Sequence, residues 1–366
     1  MRNILLGASA LAIVSATPAL AAEWTVRVGG YGEHLVGYGT SDVDNGSGED
    51  FDGVDVKQDS EIFFLPSITL DNGIKIGANI QLEGASGDDQ IDESFLFIKG
   101  NFGEGLFGSE NSAGYKMHYD APSVLFLNPR DLDEFILFSG DAGVDVGDDS
   151  TRGTFGQTAI ENDRNNDAQR FTYFTPRYAG FQLGASYARD GLQDTNAQVD
   201  TDASSLHDIF DIGANYVNSF GDFDVAVSGR WGIASNSTNS DDPEVWGAGL
   251  NLGYGGVSIG GSFAEQNDSG TEDGIGYDAG VSYMTGPWGF SFTYHHGENV
   301  DDEKPFPGAD EEVDLFLLGS SYKLAKGVNI NAFVGYVDFE ENMGDADGPG
   351  DDVTGFAIGS GIKINF

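Results

Sequence analysis

The 366-residue chain contains no cysteine. Disulfide staples, thiolate metal sites and thiol nucleophiles are therefore excluded. Basic residues are scarce: 17 Lys and Arg stand against 60 Asp and Glu, a formal net charge of −43. That balance removes the cationic surface that nucleic acid binding requires. Five histidines, at 34, 118, 207, 295 and 296, show no metal-ligand spacing. H-E-x-x-H and P-loop patterns are also absent, so the sequence gives metalloprotease or nucleotide chemistry no foothold. Beyond residue 21 no stretch stays apolar for the roughly 20 residues of a helical span, so only strands could carry this chain across a membrane.

Residues 1–21 have the form of an export signal. Arg2 supplies the positive start, Ile4 to Ala16 an apolar run, and Ala19-Leu20-Ala21 a small-residue cleavage site. The run is too short to span a bilayer, so the mature chain is expected to begin at Ala22 and to form one domain over 22–366.

What the chain has in quantity is glycine, with 54 residues, and aromatic side chains, at 12%. That composition suits many strands joined by tight turns. Period-2 alternation recurs along the whole mature chain. In Ile74 to Leu82 the apolar members are Ile74, Ile76, Ala78, Ile80 and Leu82, while Lys75, Asn79 and Gln81 take the other face. Such segments number about sixteen, near 24–39, 60–70, 74–84, 91–102, 105–110, 168–178, 181–190, 208–220, 223–235, 244–254, 257–267, 275–285, 288–299, 313–324, 328–340 and 352–366. An even number suits a single-chain bacterial barrel. Tight turns (Asp71-Asn72-Gly73, Gly103-Glu104-Gly105, Ala179-Gly180, Gly221-Asp222, Gly255-Gly256, Thr285-Gly286-Pro287, Ala325-Lys326-Gly327) alternate strictly with long polar connections. This is the asymmetry of an outer-membrane barrel whose long loops lie outside the cell. Most of the carboxylates fall in those long connections, which makes the outer rim anionic. The fold expected is an all-β transmembrane antiparallel barrel of about 16 strands, with aromatic girdles that include Trp24, Phe181, Trp288 and Phe366.

The longest connection runs over about 111–167. A structureless loop of that length is expected to fold back on something. Asn128 suits an N-cap, Pro129 a first helical position, and Asp131, Asp133 and Glu134 the positive end of a helix dipole, so a short helix is expected over 129–137. Val124 to Leu127 and Phe135 to Phe138 would anchor the loop inside the barrel. Strand parity turns Arg27, Lys75, Lys99, Arg170 and Arg230 toward the lumen.

The stretch Phe97-Ile-Lys-Gly-Asn-Phe-Gly-Glu-Gly-Leu-Phe-Gly-Ser-Glu-Asn111 resembles the strand, turn and strand that precede the constriction loop of Gram-negative general diffusion porins, particularly the alphaproteobacterial type. The opening Trp24-Thr-Val-Arg-Val-Gly-Gly-Tyr-Gly and the closing Phe356-Ala-Ile-Gly-Ser-Gly-Ile-Lys-Ile-Asn-Phe366 are similar too, so the resemblance spans the mature chain. It implies a homotrimer in the outer membrane, in contact with lipid and lipopolysaccharide, with the long loop folded inward to narrow a water-filled pore for small hydrophilic solutes and ions. It also implies that Phe366, after Ile362 and Ile364, belongs to the assembly signal. Acidic loop residues would face basic wall residues: Asp131, Asp133, Glu134, Asp141 and Asp145 on one side, Arg27, Lys75, Lys99, Arg170 and Arg230 on the other.

The net charge favours a weakly cation-preferring channel. No cofactor is required by this reading. Acidic runs such as Asp42-Val-Asp-Asn-Gly, Asp268-Ser-Gly-Thr-Glu-Asp-Gly and Asp345-Ala-Asp-Gly-Pro-Gly-Asp-Asp could hold Ca2+ or Mg2+ at low affinity, although none has EF-hand spacing. Two rivals use the same strand pattern: a barrel enzyme of phospholipase or protease type, and a soluble exported calcium-dependent β-sandwich that binds carbohydrate.

Overall fold

The computed structural model describes residues 23–43, 52–84, 90–129, 132, 135–136, 167–192, 206–237, 242–267, 273–301, 309–342 and 352–366. The export signal lies outside them. The strands are β1 (Thr25–Val43), β2 (Gly53–Thr69), β3 (Lys75–Glu83), β4 (Ile91–Gly100), β5 (Gly103–Ser109), β6 (Gln169–Phe174), β7 (Phe181–Asp190) and β8 (Leu206–Phe220), followed by β9 (Phe223–Asn236), β10 (Glu244–Tyr254), β11 (Val257–Asn267), β12 (Asp273–Thr285), β13 (Trp288–Asp301), β14 (Ala309–Ala325), β15 (Val328–Asn342) and β16 (Val353–Asn365). Each pairs antiparallel with its sequence neighbours, and β16 returns to β1, so the sheet closes and leaves no edge. Closure satisfies every strand's backbone within the sheet, which is the condition for crossing lipid without a helix. The seam runs from Tyr31 opposite Asn365 to Val43 opposite Val353, and its lower end is tied by reciprocal bonds between Gly30 and Phe366, with N···O distances of 3.1 and 3.2 Å.

Alternation sorts the two faces. On β9 and β10, Val227, Trp231, Trp246 and Leu250 point out and are exposed, while Ser228, Arg230 and Val245 point in and are buried. Such an apolar exterior would be an aggregation hazard in water and is matched to hydrocarbon instead. Two aromatic belts bound it. At the short-turn end Phe102, Tyr178, Phe181, Phe220, Tyr254, Trp288 and Phe366 are exposed, with Trp24 beside them. Toward the long-loop end, rings touch from strand to strand: Tyr187 on Phe210 at 4.9 Å, Trp246 on Phe263 at 5.1 Å, Tyr294 on Phe316 at 5.0 Å and Phe316 on Tyr336 at 6.2 Å. Offset ring contacts of this kind add to the area they bury.

The short turns show the backbone reason for their residues. Gly255 and Gly256 both have positive φ (58° and 85°), as do Ala179 and Gly180 (48° and 93°), the geometry of two-residue hairpins whose twist matches that of the strands. One turn differs from expectation. The β4–β5 reversal falls at Asn101-Phe102, and Gly103 already opens β5 with its own positive φ of 116°. β2 begins at Gly53 rather than near 60, because paired wall strands continue past the lipid belt with polar side chains.

The barrel interior is not uniformly wet. Val313, Leu315 and Leu317 of β14, Val337 and Phe339 of β15, and Val353 and Ala357 of β16 are almost wholly buried on the lumen side. These strands are apolar on both faces, as buried strands are. What covers them inside is the long loop.

Candidate functional site: the loop that lines the channel

The loop leaves β5 at Glu110. Ser112 caps a short helix, α1 (Ala113–Met117), by accepting from the Tyr115 N–H, and the described chain then continues to Pro129, with Leu132, Phe135 and Ile136 further on. The segment does not cross the lumen as a free strand. It runs along the inner wall, strand by strand, and wall side chains hold its backbone.

Ser186 on β7 accepts from the Ala113 N–H at 2.7 Å, and Asp211 on β8 from the Gly114 N–H at 2.6 Å. Asn215 on β8 donates to the Met117 carbonyl, and Ser228 on β9 accepts from the Tyr119 N–H at 2.9 Å. Asn251 on β10 donates to the Asp120 carbonyl, Asp278 on β12 accepts from the Ala121 N–H, Ser291 on β13 accepts from the Val124 N–H, and Asn331 on β15 donates to the Val124 carbonyl. The loop thus exchanges its missing secondary-structure bonds for wall side chains, which answers where its polar backbone goes.

Glycines between these pegs make the seats. A side chain at Gly249 would collide with the Tyr119 carbonyl, at Gly319 with Leu125, at Gly335 with Leu132, and at Gly355 with Ile136. At Gly37 a β-carbon would stand 2.6 Å from the Phe135 ring, and at Gly184 it would stand 2.7 Å from Met117 Sδ. Beyond Val124 the docking turns apolar. Leu127, Leu132, Phe135 and Ile136 join the β14–β16 wall in one cluster, with Leu125 and Phe126 packed against it. Fully burying a side chain such as Leu132 or Ile136 contributes about 1.5–3 kcal/mol. Val124 to Leu127, Phe135 and Ile136 therefore anchor the loop as expected; Leu137 and Phe138 lie outside the described residues.

The helix expected over 129–137 is represented in the described residues by one turn, in which the Leu132 carbonyl accepts from the N–H groups of Phe135 at 3.0 Å and Ile136 at 2.8 Å. The sequence reading missed α1. The Ser112 cap was its available signal.

The basic residues divide by access. Arg230 lies beneath α1, paired with Asp211 at 2.7 Å, and the two side chains are 1% and 3% exposed. Among the described residues its Nε and Nη1 have no hydrogen-bond partner. Arg170 is buried separately in β6, donating to the Ala168 carbonyl. Both point inward as parity requires, and both are buried, Arg230 by α1. Lys99 pairs with Glu104 at 2.8 Å near a short turn. Lys75 sits over the Phe97 ring at 5.5 Å, and Arg27 is exposed near the short-turn end of β1. The structure does not gather these five cations into one patch. Asp131, Asp133, Glu134, Asp141 and Asp145 lie outside the described residues.

Burial tunes two loop groups. The Glu110 carboxyl is fully enclosed and is pushed up to about 8 by desolvation, with Lys116 at 2.5 Å opposing the shift and Glu93 adding to it. His118 is pushed down to about 3 by burial and by the nearby Arg230 charge. The docked loop thus favours a protonated Glu110 and a neutral His118.

Carboxylates gather on the wall formed by β2, β3 and β4. On the lumen side of β2 and β3 stand Asp59, Glu61 and Glu83, and Asp92 of β4 lies close enough to join Glu61 and Glu83 in one cluster. The Tyr31 hydroxyl is 2.9 Å from Asp59 Oδ2 and donates to Glu61 Oε1 at 2.7 Å. Next along the wall Glu33 is paired with Lys363, whose ammonium lies 4.5 Å from the centre of the Tyr31 ring. The sequence reading named none of these residues. The parity that placed Arg27 inward also places its neighbours across the sheet, since Arg27 is opposite Leu65 and Tyr31 is opposite Glu61.

Gly256-Val257-Ser258-Ile259-Gly260 has the spacing of a nucleophile elbow, but it lies in β11, directly after a hairpin turn, with Ser258 opposite Gly253. The elbow needs a strand-to-helix turn, which is not here.

A closed barrel with an apolar, aromatic-belted exterior and a long loop laid along a polar inner wall defines a channel-forming protein of the outer membrane. The chain belongs to the Gram-negative porin family, whose model matches residues 7–342. A porin of Rhodobacter capsulatus is 24% identical over 249 residues, which cover 62% of this chain and 82% of that one. Among solved structures, the anion-selective porin of Comamonas acidovorans aligns with a TM-score of 0.59 at 17% identity, covering 94% of this chain and all of the other. The outer-membrane channel DcaP of Acinetobacter baumannii aligns at 0.58 with 14% identity, covering 96% of this chain and 100% of that one. Family and neighbours point to diffusion through a channel rather than to catalysis.

Proposed function

We propose that this porin passes small hydrophilic solutes and ions passively, with a weak preference for cations, and that it works as a homotrimer. The observation that carries the cation preference is the unequal access of wall charges. Arg170 and Arg230 are 6% exposed each, while Asp59, Glu61 and Glu83 stand partly exposed on the lumen side of β2 and β3. Fixed carboxylates along the path, with an anionic rim above it, raise the local cation concentration. The Comamonas acidovorans neighbour is an anion-selective porin, so family membership alone does not set the sign.

The test is the reversal potential of the triple variant Asp59→Asn, Glu61→Gln, Glu83→Gln under a salt gradient. The cation preference of the parent should shrink toward neutrality, and most visibly at low salt, where screening lengths are about 10 Å or longer. An unchanged reversal potential would remove these residues from the selectivity path. Trimer formation is supported by the Vibrio cholerae OmpT neighbour, which was solved in trimer form. A mass near three chains in a detergent-corrected light-scattering measurement is expected; a monomer mass would refute it. Contact with lipopolysaccharide and low-affinity Ca2+ or Mg2+ at the acidic loops belong to the same proposal.

A further inference from the structure

On the outer face of the barrel, away from the lumen, one feature breaks the apolar pattern. Tyr294, Phe316 and Tyr336 form a run of the upper aromatic belt across β13, β14 and β15. One outward position further toward the long loops, the same three strands carry His296, Asp314 and Asp338 in register, with Glu312 another step beyond on β14. This is the depth at which a barrel leaves hydrocarbon for headgroups.

His296 is unusual for such a position because it is only 8% exposed. The Tyr277 ring stacks on it at 4.6 Å with 29° between planes, which fixes the imidazole plane. Its Nδ1 lies 3.0 Å from Asp314 Oδ1 and 3.6 Å from Glu312 Oε1, and the three groups can each direct one ligand atom to a common point, all within 4.8 Å of one another. The Tyr294 hydroxyl donates to Asp314 Oδ1 at 2.6 Å, orienting that carboxylate from outside the group. Tetrahedral zinc with bonds of about 2.0–2.2 Å sets its ligand atoms roughly 3.3–3.6 Å apart, so the spacing needs little adjustment.

A second observation is independent of this geometry. Across the β14–β15 pair, Asp314 faces Asp338 and Glu312 faces Glu340. Like charges directly opposite destabilise a sheet, and among the described residues no Lys or Arg forms an ion pair with Glu312 or Asp314. The one basic group paired with Glu312 and Asp314 among the described residues is His296 itself.

We propose that His296, Glu312 and Asp314 form a binding site for a divalent metal ion of the zinc class, on the outer face of the barrel just above the aromatic belt, where it joins β13 to β14. One imidazole and two carboxylates are a borderline donor set, which suits Zn2+ better than the all-oxygen cages preferred by Ca2+. Three protein ligands leave a fourth position open to the headgroup layer. The site is separate from the pore, so its test does not depend on the channel's selectivity.

The experiment is equilibrium dialysis of the untagged folded protein in detergent micelles against Zn2+ alone, with metal quantified per chain, and a parallel run with Ca2+. One Zn2+ per chain is expected, held more tightly than Ca2+. His296→Gln and Asp314→Asn should each weaken zinc binding by at least about tenfold, with conductance and heat-modifiable gel mobility unchanged. If either variant fails to fold, zinc should still raise the unfolding midpoint of the parent chain, reversibly with a chelator. Absence of stoichiometric zinc in the parent, retention of zinc by His296→Gln, or its loss in the lumen variant Glu61→Gln, Glu83→Gln would each overturn the proposal.

Discussion

Asp211→Ala attacks the loop where its docking is most electrostatic. Asp211 holds both the Arg230 guanidinium and the Gly114 N–H, at 2.7 and 2.6 Å, in a site where the two charged side chains are 1% and 3% exposed. Removing the carboxylate leaves Arg230 charged and buried, a change that costs about 3–5 kcal/mol when one partner of a buried pair is lost. The other tethers of the same half, at Ser186, Asn215, Ser228 and Asn251, contribute only about 0.5–1.5 kcal/mol each. One substitution therefore offsets several of them, and α1 should lift from the wall. The far half stays, because the fully buried Leu132 and Ile136 do not depend on Asp211. Single-channel recordings should show a noisier open state, and trypsin should cut at Lys116, which in the docked loop is paired with Glu110. The double variant Asp211→Leu, Arg230→Met removes both charges together and should recover much of the quiet behaviour, since buried pairs replaced by apolar groups are often neutral. A single variant as quiet and as trypsin-resistant as the parent, or a double variant as disturbed as the single, would refute the reasoning.

Gly335→Leu should push Leu132 out of its seat and cost about 1–3 kcal/mol of loop docking as overpacking; conductance should change while heat-modifiable mobility does not. Glu110 has its carboxyl raised to about 8 in the docked loop, so its stabilising contribution is complete below the ordinary glutamate range and is lost as pH rises through about 8. His118, lowered to about 3, contributes fully above the ordinary histidine value and loses that contribution as pH falls toward 3. Tryptic nicking at Lys116 should therefore increase toward alkaline pH, and Glu110→Gln should abolish that alkaline increase; a flat profile in the parent would contradict the assignment. Lys99→Ala should leave stability within about 1 kcal/mol, because the Lys99–Glu104 pair is exposed; a large loss in a urea unfolding series would show that this pair does more than its surroundings suggest.

Strand alternation made most of the barrel legible. β7 spans 181–190 and β11 spans 257–267, as the apolar period alone sets them. The misses follow from what that period cannot carry. The early part of β2 was hidden because Asp55, Lys57 and Asp59 read as loop composition, although Val54 and Val56 alternate with them and face outward. That boundary also concealed Asp59 as a lumen carboxylate. The sequence Leu315-Phe-Leu-Leu318 has no two-residue period, because one face meets lipid and the other meets the docked loop.

Arg230 shows the same limit at the site. Parity fixes which face a side chain takes, but access depends on α1, a segment far away in sequence that lies over it. The glycine seats at 249, 319, 335 and 355 looked like ordinary small residues on a wet wall. Their meaning depends on Tyr119, Leu125, Leu132 and Ile136, which no local pattern pairs with them.

A passive channel with negative accessible wall charge is tested most directly by the zero-current potential of the purified, refolded chain in a neutral planar bilayer, under a tenfold potassium chloride gradient at low ionic strength. Stable conducting steps are predicted, with a reversal potential displaced in the direction of cation flow. Membranes that remain non-conducting, or a potential displaced in the anion direction, would contradict it.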